Sequence, residues 1–191
     1  MDENLVKIRH ARSEKDFPFL KLEEDEYVEF AFKRAKICYM LIFGAVAGGL
    51  ALILFAFLVV LLGQASIDAS GRSFLFILLI LMIIIGFIFG MVGVSVFRGN
   101  QMFITNKHVI QLIEKSPLVK SVNIIDLSSV EDASFTKTGF LQAFFNYGTF
   151  RLSTIGDETT YTFPYSDISR HDLNAVSKLI TEVKEENKKK D

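Results

Sequence analysis

From Ile37 to Leu62 the chain reads ICYMLIFGAVAGGLALILFAFLVVLL, and from Phe74 to Phe97 it reads FLFILLILMIIIGFIFGMVGVSVF. The first run has no ionisable side chain beyond Cys38 and Tyr39 at its start, and the second has none. About 20 helical residues cross a hydrocarbon core of about 30 Å, so each run predicts a membrane-spanning segment. Inside lipid a backbone must satisfy its own hydrogen bonds, which restricts such runs to helices. Residues 64–73, QASIDASGRS, allow only a tight connection, so the two spans form an antiparallel hairpin. Residues 1–34 are polar with mixed charge, and the first apolar run is too long for the core of a signal peptide. The expectation is insertion, not export.

Lys33, Arg34 and Lys36 abut the first span and Arg98 ends the second, whereas the connecting loop carries Arg72 against Asp68. The positive-inside bias therefore places both termini in the cytoplasm of a two-span protein of the cell membrane. A transporter or proton pump needs a carboxylate, a histidine or a broken helix at mid-membrane. These spans offer none and read as an anchor. Each holds a small-xxx-small pair, Gly44 with Gly48 and Gly86 with Gly90. Such pairs allow close helix approach, either within the hairpin or between copies.

Half of the sequence is hydrophobic, with 19 Phe and no Trp, and the excess is concentrated in the two spans. A formal net charge of -1 nominates neither nucleic acid nor an acidic substrate as partner. The single cysteine, Cys38, excludes an intramolecular disulfide and a Cys-based zinc cluster, and reads as a small apolar residue. In the N-terminal segment, 1–35, a polar leader and the acidic run Glu23 to Glu26 precede a short strand with Val28, Phe30 and Phe32 on one side. The acidic run reads as a solvated turn and lacks the glycine and spacing of a calcium loop.

After Arg98 the period changes from helical to alternating. Gln101 to Thr105 and His108 to Ile113 predict two strands joined at Asn106-Lys107, a pair suited to a two-residue turn. Further strands are predicted at Val119 to Ile125, Val130 to Thr136, Thr149 to Thr154 and Thr159 to Phe163, with a turn at Gly156-Asp157-Glu158. Short strands at this spacing indicate an antiparallel sandwich or barrel. Ser169-Arg170-His171-Asp172 then has the form of a capping box, and Leu173, Val176, Leu179, Ile180 and Val183 follow at helical spacing. Such an amphipathic helix can cover an open sheet edge. The end of the chain, 188–191, reads as a frayed tail.

The sequence contains no GxSxG elbow, HExxH, P-loop or GxGxxG. His10, His108 and His171 lie in unrelated settings, and no metal-ligand or catalytic set assembles around them. Between Gly99 and Ile168 the bases Lys107, Lys115, Lys120, Lys137 and Arg151 are outnumbered by acids, unlike a phosphate-tracking surface.

Two spans, a short-strand barrel and a closing helix resemble the bacterial PH-domain membrane proteins of the YdbS-like family. The resemblance is carried by Phe103-Ile104-Thr105-Asn106-Lys107-His108-Val109-Ile110, similar to the family's first hairpin, and by Ile125-Asp126-Leu127-Ser128-Ser129-Val130-Glu131-Asp132-Ala133. It is also carried by Gly139-Phe140-Leu141 through Phe144-Phe145-Asn146-Tyr147-Gly148-Thr149, with Thr154-Ile155-Gly156 closing the strand. The match covers about residues 20–165. His108 departs from it, since the family more often has Arg there. The resemblance implies an α+β membrane protein: a transmembrane hairpin (36–98) followed by a cytoplasmic PH-like antiparallel β-barrel (99–187) with a C-terminal amphipathic helix. It implies no cofactor and no catalytic residue, and it does not name a ligand.

The expected function is accordingly a non-catalytic, membrane-anchored scaffold or protein-interaction module, with a protein partner or a second copy of the chain as its target. The alternative is a sensor that binds anionic lipid head groups weakly, and a subunit of a membrane enzyme or transporter is disfavoured. Contact residues for either are Lys107, His108, Lys120, Lys137 and Arg151, together with Phe140, Phe144 and Phe145. Residues 139–146 cross an open end of the barrel, where Phe140, Leu141, Phe144 and Phe145 either plug the core or form a contact surface. In an extended segment neighbours face opposite sides, so one of Phe144 and Phe145 should be buried and the other exposed.

Overall fold

The computed structural model describes residues 3–62, 68–154 and 160–189. Two units are distinguished: one comprises the chain up to Ala35 and from Arg98 onward, the other Lys36–Phe97.

In the second unit the apolar runs form helices α2 (Ile37–Leu62) and α3 (Ala69–Gly99), the latter beginning earlier than its apolar stretch. The expected tight connection lies partly outside the described residues. Both helices are long and apolar enough to cross a membrane and leave nearly all their apolar side chains uncovered. Phe57 meets Phe76 edge-on at 5.1 Å, and Tyr39 meets Phe97 at 6.3 Å. A Cβ added to Gly86 or Gly90 would lie 3.4 Å from Leu50 and 3.6 Å from Val46 respectively. These glycines therefore serve the packing of the hairpin's own helices, whereas a Cβ at Gly44 or Gly48 meets nothing within 4 Å.

The first unit opens with α1 (Glu3–Asp16), where the sequence predicted only a polar leader. Strand β1 (Val28–Lys33) follows, and after the apolar helices come β2 (Gln101–Thr105), β3 (His108–Ser116) and β4 (Val119–Asp126). They form one antiparallel sheet in the order β1-β2-β3-β4. A 3-10 turn at Leu127–Ser129, capped by Asp126, leads to β5 (Val130–Thr136), β6 (Gly148–Thr154) and β7 (Thr160–Ser166), a second sheet in the order β5-β6-β7. The expected turn at Gly156-Asp157-Glu158 lies outside the described residues. Helix α5 (Arg170–Lys188) starts from a complete capping box, with Ser169 and Asp172 hydrogen-bonded reciprocally.

The predicted single barrel is corrected: the strands form two separate ladders, not one closed sheet. The alternation that defines the strands also builds the core between them. Met102, Ile104 and Val109 from the first sheet meet Phe150, Leu152 and Phe163 from the second, and Val176 and Ile180 of α5 join the same cluster. Residues 1–35, set apart by sequence, contribute β1, whose Lys33 is the register partner of Gln101. The two apolar helices thus occupy the β1–β2 connection of the sheet. A smaller cluster on the other side of that sheet joins Phe103 and Ile110 to Leu20, with Phe17 and Leu22 packed against it.

Gly148 shows why the Tyr-Gly-Thr entry to β6 needs glycine. A Cβ there would lie 2.6 Å from the Thr136 backbone oxygen and 2.8 Å from the Phe135 ring. Upstream, α4 (Phe140–Phe144) is a short helical turn between Gly139 (φ 95) and Asn146 (φ 57). Both residue types accept the left-handed backbone that these positions require.

Candidate interaction sites

Thr105 to His108 turn the chain from β2 into β3, and this turn is fastened to residues 23–27. Asn106 accepts from the Tyr27 amide through Oδ1 at 2.9 Å and donates through Nδ2 to the Asp25 carbonyl at 3.0 Å. Its own amide donates to the Tyr27 carbonyl at 3.2 Å. Thr105 Oγ1 donates to Glu26 Oε1 at 2.6 Å and accepts from the amides of Lys107 and His108 at 3.1 and 2.7 Å. His108 Nδ1 donates to the same carboxylate at 2.9 Å, and Lys107 Nζ meets Glu23 Oε2 at 2.8 Å. From α1, His10 Nδ1 donates to the Glu26 carbonyl at 2.6 Å and Ser13 Oγ accepts from the Val28 amide at 3.0 Å.

The predicted solvated turn is therefore corrected at Glu26, which is 2 % exposed. Burial alone would raise its carboxyl. Hydrogen bonds from Thr105, His108 and the Glu23 amide, with the charge of His108, outweigh that and hold it below the usual carboxylate range. For Lys107, the hydrogen bond to Glu23 is the main reason its ammonium is held above the ordinary value. Among the described residues no cluster of three or more His, Cys, Asp or Glu could hold a metal ion. Glu26 points into the sheet and Glu23 to Lys107, so the four acids do not converge.

The remaining sequence candidates fall at three other places. Lys120 lies near the β3–β4 turn and pairs with Glu114 at 2.5 Å. Arg151 is exposed in mid-strand on β6, with Ser134 and Thr162 as its register partners. Lys137 approaches the aromatic turn: its Nζ donates to Asn146 Oδ1 and lies 5.8 Å from the Phe135 ring centre. With Asn146, Ile168, Ser169, Arg170 and Leu173 it lines a cleft of about 510 Å³.

Beside that cleft, α4 corrects the expectation of a core plug. Phe140 and Phe144 are 79 % and 69 % exposed, Leu141 is exposed, and Phe145 is 39 % exposed. Neither member of the Phe144–Phe145 pair is buried, because the segment is helical and not extended. Residues four apart share a helix face, so Phe140 stacks on Phe144 at 5.8 Å, and Phe145 meets Phe144 edge-on at 4.9 Å. The rings pack on one another and form an aromatic knuckle on the surface.

A four-stranded and a three-stranded antiparallel sheet, packed around one core with a C-terminal helix, define a PH-like domain. The family model for the bacterial PH domain matches residues 32–184, from within β1 through both apolar helices to α5, and the chain belongs to that family. No curated protein and no solved structure gave a significant match.

Proposed function

We propose that this chain is a non-catalytic, membrane-anchored PH-like module of the YdbS-like type, which recruits a protein partner through the aromatic knuckle at Phe140–Phe145. The knuckle carries the reading. Four large apolar side chains are displayed to water on a helical turn bounded by the positive-φ residues Gly139 and Asn146, beside a core that is complete without them. Aromatic anchors of this kind dominate protein interfaces and are costly to leave in water without a use. Anchoring is supported by the uncovered apolar surface of α2 and α3. It is further supported by the pairing of β1 with β2, which requires the chain to leave and re-enter the sheet on one side of any bilayer. Lys33, Arg34, Lys36 and Arg98 flank the two helices and favour the cytoplasmic side for that sheet. A lipid head-group sensor is the second reading, favoured by Lys137 beside the knuckle. It is weakened by Lys107, His108 and Lys120, whose side-chain nitrogens already meet carboxylates.

The test places a photo-crosslinking amino acid at Phe144 of the full-length chain in native membranes. The expected result is a protein adduct of defined mass, lost on Phe140→Ser at unchanged protein level. An adduct of twice the chain's mass would identify a second copy as the partner. Adducts to lipid alone would replace this reading by the head-group sensor. Extraction of the chain from membranes by alkaline carbonate would overturn the anchor.

A further inference from the structure

The β3–β4 hairpin carries a feature that neither the knuckle nor the latch at Glu26 uses. At its turn stands Leu118, 94 % exposed, followed by the exposed Val119 and bracketed by Lys115 and Lys120. The register places this turn at a defined end of the sheet. Gln101, the first residue of β2, pairs with Leu112, yet β3 continues to Ser116 before turning. At about 3.3 Å per residue, the turn projects roughly 13 Å beyond the start of β2, toward the end from which the chain enters that strand. Side-chain contacts fix the same relation. The Glu114 carboxylate lies against Gly99, where an added Cβ would be 1.9 Å away. Asn100 Nδ2 donates to the Glu114 carbonyl at 2.8 Å. Gly99 and Asn100 lead directly into β2, so the base of the hairpin touches the segment by which the chain enters that strand.

We propose that the turn Ser116–Val119 docks on the bilayer, with Leu118 entering the boundary between head groups and acyl chains and Lys115 at head-group level. This rests on the reading of α2 and α3 as membrane spans. Arg98 then lies at the membrane surface, and a turn that reaches past Gln101 on that side meets lipid. An aliphatic tip flanked by lysines suits that layer. The apolar side chain leaves water, and the lysine stems run along the boundary with their ammonium groups among the phosphates. Such a contact gives the domain a second point of attachment besides its covalent connections to the helices, and so restricts its swing. Glu114 holds Lys120 back at 2.5 Å, which leaves Lys115 as the charge aimed at lipid.

The experiment uses the full-length chain on a Cys38→Ala background, in nanodiscs of phosphatidylcholine and phosphatidylglycerol. An environment-sensitive fluorophore is attached at Leu118→Cys, at Phe57→Cys within α2, and at Thr162→Cys on β7. Quenching by lipids carrying a nitroxide near the head group is then measured. Docking predicts at least a threefold greater quenching at 118 than at 162, with a blue-shifted emission. If 57 reports lipid while 118 matches 162, the docking is wrong and the anchor stands. Should 118 be blue-shifted without lipid quenching, the turn is buried against protein, and the docking is likewise overturned. Should 57 itself fail to report lipid, the membrane reading fails, and the docking with it.

Discussion

Glu26→Ala tests the latch between the N-terminal segment and the sheet. The carboxylate is almost fully buried and receives hydrogen bonds from Thr105 Oγ1, His108 Nδ1 and the Glu23 amide. Removing it takes the shared charged acceptor from the His108 ring and from the Thr105 hydroxyl, which keeps only the His108 carbonyl at 2.9 Å. Each lost bond to a charged acceptor is worth about 1.5–3 kcal/mol, and breaking a buried pair costs about 3–5 kcal/mol. The His108 ring is 27 % exposed and recovers part of this from water, so about 2–4 kcal/mol is expected for the whole site. The assay is hydrogen exchange of the β2 and β3 amides in the full-length chain in detergent. With a factor of ten per 1.4 kcal/mol, their exchange should accelerate about 30- to 700-fold.

The same residue sets a pH dependence. The folded-state carboxyl lies below its ordinary value of 4.5, so its stabilisation is complete above that value and fades as pH falls through the folded-state value. Protection in the wild-type chain should therefore drop on acidification below about 4.5, while Glu26→Gln, which has no proton to gain, should be flatter over that range. An exchange rate within threefold of wild type for Glu26→Ala would refute the latch. Equal acid sensitivity in Glu26→Gln would refute the assignment of that sensitivity to this carboxyl.

Four further outcomes are expected. Gly148→Ala forces a Cβ to within 2.6 Å of the Thr136 oxygen and should part β5 from β6, lowering stability by more than about 2 kcal/mol in thermal melts. Phe150→Ala, at a fully buried ring, should cost about 3–5 kcal/mol, whereas Phe144→Ala on the exposed knuckle should cost under about 1 kcal/mol in the same melts. Gly86→Leu places bulk where the Cβ is already 3.4 Å from Leu50, and should weaken a disulfide-trapping signal between the two apolar helices, while Gly44→Leu should not. A fragment beginning at residue 99 lacks β1, exposes the β2 edge and should aggregate on size exclusion where the full chain in detergent does not.

Most of the strands were legible because each contrasts locally with its neighbours. The six strands after Arg98 alternate between turn residues, and their predicted limits fall within three residues of the observed ones. Helix α5 announced itself by Ser169 and Asp172 together with its apolar stripe. Helix α1 did not, because it is polar around its circumference and is held by Arg9 on Glu29 and by the His10 and Ser13 contacts, none of which leaves a period in the sequence. The burial of Glu26 depends on Thr105 and His108, 79 and 82 residues away. Composition alone therefore makes it one of four similar acids. The same distance hid the pairing of Lys107 and His108, which in sequence look like free basic contacts. The aromatic cluster at 140–145 was found, but its exposure follows from a helical turn set by Gly139 and Asn146, where the sequence suggested an extended crossing.

The placement of the apolar helices within the β1–β2 connection links their packing to the folding of the sheet. An antiparallel strand pair needs its ends close together, and here Lys33 and Gln101 are direct partners although both helices intervene. For a flexible connection, bringing them together would carry a closure cost that grows with the logarithm of its length, roughly as 1.5RT ln n. A packed helical hairpin removes most of that cost, because adjacent helices pack with axes about 8–10 Å apart and return the chain close to where it entered. The insertion therefore favours the β1–β2 ladder, and the ladder in turn holds the two helix ends together. The Thr105–His108 turn at the far end of β2 strengthens this arrangement, since Asn106 and Glu26 bind the segment immediately before β1. The strand is thus pinned at one end by the latch and along its length by its ladder with β2. Residues of the Thr-Asn-Lys-His stretch, which in sequence look like a ligand-binding hairpin, instead fasten to its sheet the one strand that the apolar helices separate from the rest.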